Sequence, residues 1–248
     1  MIPSSTRRSL ALVLAVVASG LALTACESSQ DKAAKLAGSD SQQADVGKGV
    51  SVTKENPDVE VGTSAVVSDA NGAAAAVQLK NTGSRPLYSL PIELQVLDES
   101  GQVAYSNTDP GLEPVLTRVP SIPAGGEVWW VNEQVALTGK AKDLKVKVGS
   151  SNAKASAGSF SIADLRAKPD PAGGVAAIGV VRNQSKSTAR NVFVSIVATR
   201  GGKPVAAGKS MVEKIAPSGS AGFNVILIGN PNGAILQGSA ATLPGGSE

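Results

Sequence analysis

Few residues of this chain have side chains suited to catalysis or metal binding. The 248 residues include no histidine and a single cysteine, Cys26, which excludes the commonest general base and any zinc site built from several thiolates. Ser-x-x-Lys patterns begin at Ser29, Ser51 and Ser151. The penicillin-binding version also needs Ser-Asp-Asn and Lys-Thr-Gly, and neither triplet occurs. We therefore predict that the chain is not an enzyme and has no catalytic residue, metal site or cofactor.

Carboxylates offer the other available chemistry, and they are densest between Glu93 and Glu113. Two of them could in principle form the acid–base pair of a glycosidase. Asn107, Asp109 and Glu113 could bind calcium, but their order differs from that of an EF-hand loop. We interpret the carboxylates, Glu93, Asp98, Glu99, Asp109 and Glu113, as solvated charges on strand edges and turns.

Cys26 closes an N-terminal segment that has the three parts of an export signal. Arg7 and Arg8 give a positive start, the apolar run Leu10 to Leu23 follows, and Thr24-Ala25 form a small-residue exit. The apolar run is shorter than the roughly 20 residues of a membrane-spanning helix. We expect residues 1–25 to be a signal peptide that is cleaved between Ala25 and Cys26.

Leu23-Thr24-Ala25-Cys26 resembles the bacterial lipobox. In that family a lipid is attached to the cysteine and the signal is cut just before it. The resemblance implies lipidation of Cys26 and a diacyl anchor on the extracytoplasmic face of the cell membrane, since two acyl chains hold a protein stably. The alternative is a free cysteine beside an ordinary cleavage site. Thr6 to Leu10 partly resembles a twin-arginine signal, so both export routes stay open.

The charge balance argues against a nucleic-acid partner. Removing Arg7 and Arg8 from the 23 basic residues leaves them nearly equal to the 20 acidic ones. A nearly neutral mature chain lacks the basic surface that nucleic acids attract. The expected partners are the membrane, through the lipid on Cys26, and an envelope protein or cell-wall component.

Two segments of different composition follow the signal. Residues 26–50 are rich in Ser, Gln, Asp, Lys and Ala without a periodic apolar face, which predicts a flexible tether. Beyond residue 50, short β-rich runs such as Ile92 to Leu97 alternate with Gly, Pro, Asn and Asp clusters such as Asp98 to Gly101. This spacing is typical of β-sandwiches, and no segment shows a helical stripe.

An internal repeat divides the β-rich part. Val77 to Gly83 matches Gly179 to Ser185, with Asn81 aligned to Asn183. Further on, Pro123 to Trp129 matches Pro217 to Phe223, and the smaller offset predicts about eight extra residues in or near 106–121 of the first copy.

We predict an all-β chain of two tandem immunoglobulin-like β-sandwich domains, because each copy holds about seven short strands in roughly 100 residues. The predicted domains are 51–151 and 152–232. A last strand near Ala234 to Gln237 and a frayed tail occupy 233–248.

The repeated pattern resembles FxLYD-type domains, with Leu94-Gln95-Val96-Leu97-Asp98 in the place of the naming motif and aliphatic residues replacing Phe and Tyr. Domains of that family look like extracellular modules of bacterial lipoproteins. The Ala-, Gly- and Val-rich composition and the signal suggest that this lipoprotein comes from a high-GC Gram-positive bacterium, such as an actinomycete.

Trp129 and Trp130 are the most informative residues of the mature chain. Because neighbouring strand residues face opposite sides, and Trp129 aligns with Phe223, we expect Trp129 to point into the first core and Trp130 to point outward. Trp130, with Tyr88 and Tyr105 near the same end, is then the candidate surface contact. The alternative is that Trp130 packs against the second domain, the 106–121 loop or the tail.

These patterns predict a lipid-anchored, non-enzymatic envelope protein that acts as a surface spacer or as a protein- or wall-binding module. The alternative function is a solute-binding lipoprotein that passes a small ligand to a transporter. Such proteins usually have two α/β lobes, and the sequence contains no helical pattern to build them.

Overall fold

The computed structural model of the chain describes residues 49–153, 158–171 and 173–243, which belong to one compact unit. They form antiparallel strands and one four-residue helical turn, α1 (Pro114–Thr117). The first-repeat strands are β1 (Val59–Asp69), β2 (Gly72–Asn81), β3 (Leu87–Asp98), β4 (Val103–Ser106), β5 (Arg118–Ile122), β6 (Glu127–Asn132) and β7 (Ala141–Val148). The second-repeat strands are β8 (Phe160–Pro169), β9 (Val175–Asn183), β10 (Ala189–Arg200), β11 (Lys203–Ile215), β12 (Ser220–Gly229) and β13 (Ile235–Ala241). The predicted all-β class is confirmed.

Both repeats pair their strands in the same way. In the first, β2 lies between β1 and β6, while β3 lies between β7 on one side and β4 and β5 on the other. In the second, β9 lies between β8 and β12, and β10 lies between β11 and β13. A buried apolar cluster fills the space between the two groups of strands in each repeat. In the second repeat a short β11–β12 pairing also joins the two groups into one six-stranded sheet.

The extra residues of the first repeat interrupt one strand. The second repeat has a continuous β11, whereas its counterpart is divided into β4 and β5 by residues 107–117, which include α1. Asn107 ties this insertion to β3: its Oδ1 accepts from the N–H of Leu94 at 2.7 Å, and its Nδ2 donates to the carbonyls of Ile92 (2.9 Å) and Leu116 (2.8 Å). The Asn107 amide therefore pairs with backbone groups that a continuous strand would otherwise hydrogen-bond.

Asn81 and Asn183 stabilise the same corner in the two repeats. Both side chains are buried. In each, Nδ2 donates to the carbonyl four residues ahead at 2.8 Å, and Oδ1 accepts from the N–H two residues ahead, at 2.9 Å and 3.0 Å. The repeated asparagine is explained by this turn, because a buried backbone group needs a partner.

A third apolar layer joins the repeats. It is contributed by both and consists of Val67, Ala74, Ala76, Trp129, Val131, Val197, Ala207 and Ile228. Strand β2 therefore buries both faces, with Ala73, Ala75 and Val77 in the first core and Ala74 and Ala76 against the second repeat. A strand buried on both faces reads as a continuous apolar run, which explains the alanine-rich sequence of β2.

The N-terminal predictions lie outside the described residues. These are the signal peptide, the cleavage site at Ala25 and Cys26, the lipid on Cys26, and the tether up to residue 48. In the described part of the chain, no helix has the length and apolar character needed to cross a membrane. The strand expected near 234–237 is β13, which pairs with β10.

Candidate functional site

A cleft of about 390 Å³ lies where the two repeats meet. It is bordered by β5 and β6 of the first repeat and by β8, β10 and β13 of the second. The chain has two Trp, two Tyr and three Phe residues, and five of these seven line the cleft: Tyr88, Trp129, Trp130, Phe160 and Phe193. A concave site with concentrated aromatic side chains and a few polar groups has the composition of a ligand site.

The orientation expected for the two tryptophans is wrong. Trp130 belongs to the first core, is 3% exposed, and donates through Nε1 to the carbonyl of Arg118 at 3.0 Å. Trp129 packs in the layer between the repeats, where its Nε1 donates to Gln237 Oε1 at 2.7 Å and its backbone N–H donates to Ser239 Oγ at 3.0 Å. Trp130 is therefore a core residue whose edge reaches the cleft, and not an outward contact residue.

In the structure the β6 strand of the first repeat corresponds to β12 of the second with a register one residue away from the one that the sequence match predicts. Trp130 lies opposite Val77, and Phe223 lies opposite Gly179 in the same place of the second repeat. Trp130 is thus the counterpart of Phe223, and Trp129 takes the place of the glycine before it. Because side chains alternate along a strand, a slip of one residue exchanges the two faces.

The turn before β6 and β12 explains why the sequence match between Pro123 and Pro217 gives the wrong register. Gly126 N donates to the carbonyl of Pro123, and Gly219 N donates to that of Ala216, at 3.0 Å in both turns. Pro123 therefore corresponds to Ala216, and its identity to Pro217 is a coincidence of composition. Backbone geometry fixes the turn, and proline fits either of its first two positions.

Lys209 is a charged residue of the cleft lining whose side chain is buried. Its side chain is 5% exposed, and its Nζ lies 3.0 Å from Glu133 Oε2 and donates to the carbonyl of Val131 at 3.0 Å. Burial lowers the pKa of the Lys209 ammonium, while the charge of Glu133 partly opposes this shift. Lys209 belongs to the second repeat and both partners to the first, so the pair ties the two repeats together beside the cleft.

The two tyrosines are separated by the fold. Tyr88 lines the cleft and is half-buried. Tyr105 packs at the edge of the first core, away from the cleft lining, and its hydroxyl accepts from Asn132 Nδ2 at 2.9 Å. Burial raises the pKa of Tyr105, and the hydrogen bond from Asn132 opposes the rise. The candidate contact residues Trp130, Tyr88 and Tyr105 therefore do not form one surface.

Phe160, Phe193 and Lys209 of the cleft were not anticipated from the sequence. Phe160 opens β8 and Phe193 lies on β10, and each is half-buried. Both phenylalanines come from the second repeat and meet Tyr88 and Trp129 of the first only after the repeats pack. The scarcity of aromatic residues was the available signal, since those few are expected to concentrate where large contacts are made.

Asp98, one of the carboxylates of the Glu93 to Glu113 region, has a structural role in its own turn. The pKa of Asp98 is lowered by hydrogen bonds from the Ser100 side chain and the Gln102 N–H within the turn after β3. Within residues 49–153, 158–171 and 173–243, no group of three His, Cys, Asp or Glu side chains is arranged to hold a metal ion.

No protein-family model matches the chain, and no curated protein is significantly similar to it.

Proposed function

We propose that this chain is a non-enzymatic envelope lipoprotein, held on the outer face of the cell membrane by lipid on Cys26, which binds an envelope component in the cleft between its repeats. One observation carries the binding role, namely the presence of five of the seven aromatic residues in a single cleft. Large aromatic side chains dominate recognition surfaces because each contributes a large contact area at low entropic cost.

The anchor part of the proposal is supported by Leu23-Thr24-Ala25-Cys26 and the charged and apolar segments before it. The tandem repeat with its paired asparagines supports two FxLYD-like sandwich domains on that anchor. The shared apolar layer further supports a rigid unit that presents one composite site, rather than two independent domains on a flexible join.

Fractionation of cells tests the anchor. Wild-type protein is expected in the membrane fraction, and Cys26→Ser is expected in the medium or the soluble fraction, because the variant cannot receive the acyl chains. Ser151→Ala provides a control substitution that leaves the proposed lipidation site intact. Equal membrane retention of wild type and Cys26→Ser would contradict a lipid anchor.

Photocrosslinking in intact cells tests the cleft. A photoreactive phenylalanine analogue at position 193 preserves the ring and is expected to trap an envelope component. The same analogue at position 226 is the matched control, because Ile226 is 44% exposed on β12 and does not line the cleft. Equal trapping at both positions, or none at 193, would contradict a binding role for the cleft.

A second candidate function is that of a solute-binding lipoprotein. The observation that favours it is the cleft volume of about 390 Å³, which lies in the range of small-molecule sites. This candidate requires a small solute to bind the purified protein with a defined stoichiometry. Mass spectrometry of the ligand released from the purified protein decides between the two functions. A single small solute supports the solute-binding function, and a fragment of an envelope component supports the first proposal.

A further inference from the structure

We infer that the cleft recognises a neutral oligosaccharide segment, such as part of a cell-wall glycan. This inference rests on the proposed function, because it names the ligand class of the same cleft. It follows from three properties of the lining: its exposed ring surface, its hydroxyl groups and its charge.

The ring surface is divided between buried and accessible aromatics. Trp129 and Trp130 are 8% and 3% exposed and have their indole N–H groups bonded to protein oxygens. Both therefore belong to the lining but expose little ring surface to a ligand. Tyr88, Phe160 and Phe193 are half-buried and leave part of each ring accessible. Aromatic rings with accessible faces contact the apolar C–H faces of sugar rings, whose hydroxyls point outward around the edge.

Hydroxyl groups from both repeats complete the lining, from Ser121 on β5 and from Ser159, Ser195 and Ser239 of the second repeat. Ser159 already donates to Gln184 Oε1 at 3.0 Å and Ser195 is 8% exposed, so the inferred recognition rests on the hydroxyls of Ser121 and Ser239. A hydroxyl can donate one hydrogen bond and accept others, so it matches ligand groups that also do both. Ser239 Oγ accepts from Trp129 N at 3.0 Å, and its own hydrogen is not used in that bond. Sugar hydroxyls have this dual character, whereas acyl chains have neither donors nor acceptors.

The charge of the lining disfavours an anionic ligand. Glu127 and Lys209 are the charged residues that line the cleft. Lys209 is already paired with Glu133 at 3.0 Å, so its positive charge is balanced, and the exposed Glu127 adds a negative charge to the lining. A phosphate or carboxylate ligand would meet no uncompensated cation there. A neutral ligand avoids this repulsion.

The two tryptophans of the chain both line the cleft, so intrinsic fluorescence reports on it directly. The secreted Cys26→Ser chain is titrated with three neutral trisaccharides. These are the trimer of N-acetylglucosamine, the β-1,4-linked trimer of glucose and the α-1,4-linked trimer of glucose. At least one is expected to change the tryptophan emission in a saturable way. Phe193→Ala is expected to weaken that binding roughly tenfold, as the loss of one aromatic contact predicts. Ile226→Ala is expected to leave it unchanged.

Two further probes make the ligand class falsifiable. Glycerol phosphate tests an anionic ligand and a proline-rich peptide tests an extended polypeptide. The absence of a saturable response to any neutral trimer would overturn the oligosaccharide assignment, and saturable binding of glycerol phosphate or of the peptide would assign the cleft to that ligand class instead. If position 193 still traps a component in cells, the proposed binding role stands and the ligand class alone fails. Thermal unfolding of Phe193→Ala, expected close to wild type, shows that lost binding does not reflect lost folding.

Discussion

The ring of Phe223 lies directly over Gly179, its cross-strand neighbour on β9. A Cβ added to Gly179 would come within 2.7 Å of Phe223 Cζ and 2.9 Å of the Ala163 carbonyl oxygen. In the first repeat the same positions hold Trp130 and Val77. The two cores therefore use different partners at equivalent sites, and the second core depends on the absence of a side chain at residue 179.

Gly179→Ala is expected to lower the free energy of unfolding by about 1–3 kcal/mol, because the added methyl group overpacks the space under Phe223. Gly222→Ala is the matched control on the facing strand, since its Cβ would find its nearest neighbour at 3.9 Å. Urea denaturation measures both. A loss at Gly222 as large as that at Gly179 would show that the backbone, and not the Phe223 ring, sets the requirement.

Trp130→Ala is expected to destabilise the chain by about 3–5 kcal/mol, because it removes a large side chain from the first core and leaves a cavity. The carbonyl of Arg118 also loses its indole donor. Val103→Ala is the control, since Val103 is 56% exposed. An unchanged melting temperature for Trp130→Ala would indicate that Trp130 is a surface residue and would contradict the packing described for the first core.

Asn81→Ala and Asn183→Ala are expected to cost similar amounts, roughly 2–4 kcal/mol each, because both leave several buried backbone groups without a partner. Asn71→Ala, at an exposed hairpin position, is expected to change stability little. Chemical denaturation compares the three. Unequal losses at Asn81 and Asn183 would mean that the two corners, although alike in geometry, are not energetically equivalent.

Lys209 gives stability a pH dependence of predictable sign. Burial lowers the pKa of its ammonium below 10.5, so on raising the pH the folded chain releases this proton before the unfolded chain does. In this range the unfolded chain binds more protons than the folded chain. The free energy of unfolding therefore rises as the pH is raised toward 10.5. Below the folded pKa the desolvation penalty is fully present.

We expect Lys209→Met to lack this rise when urea denaturation is followed upward from neutral pH to just below pH 10.0. The measurement stays below pH 10.0 to limit the contribution of Tyr105. The raised pKa of Tyr105 makes the free energy of unfolding fall as the pH rises, because the folded chain keeps this proton to a higher pH than the unfolded chain does. Lys203→Met changes an exposed lysine and should retain the rise. The same rise in Lys209→Met would assign the pH dependence to another group.

Local patterns were sufficient to predict the β class, the turns and the repeat. The Asp98 turn, the paired asparagines and the extra residues near 106–121 all appear as short-range features, because turn chemistry and strand alternation depend on a few neighbouring residues. Alternation also predicted that Trp129 and Trp130 face opposite sides. It could not say which side each one faces, because that choice depends on a cross-strand register set by residues far apart in the chain.

The sequence by itself determined a β-rich repeat chain with one cysteine, no histidine and few aromatic residues, because these are properties of composition and short-range order. Only the tertiary structure decided that the alanines of β2 bury both faces, that Lys209 meets Glu133, and that five aromatic residues share one cleft. Each of these depends on how the two repeats pack face to face. That packing is set by the shape of whole sheet surfaces, which no local pattern encodes.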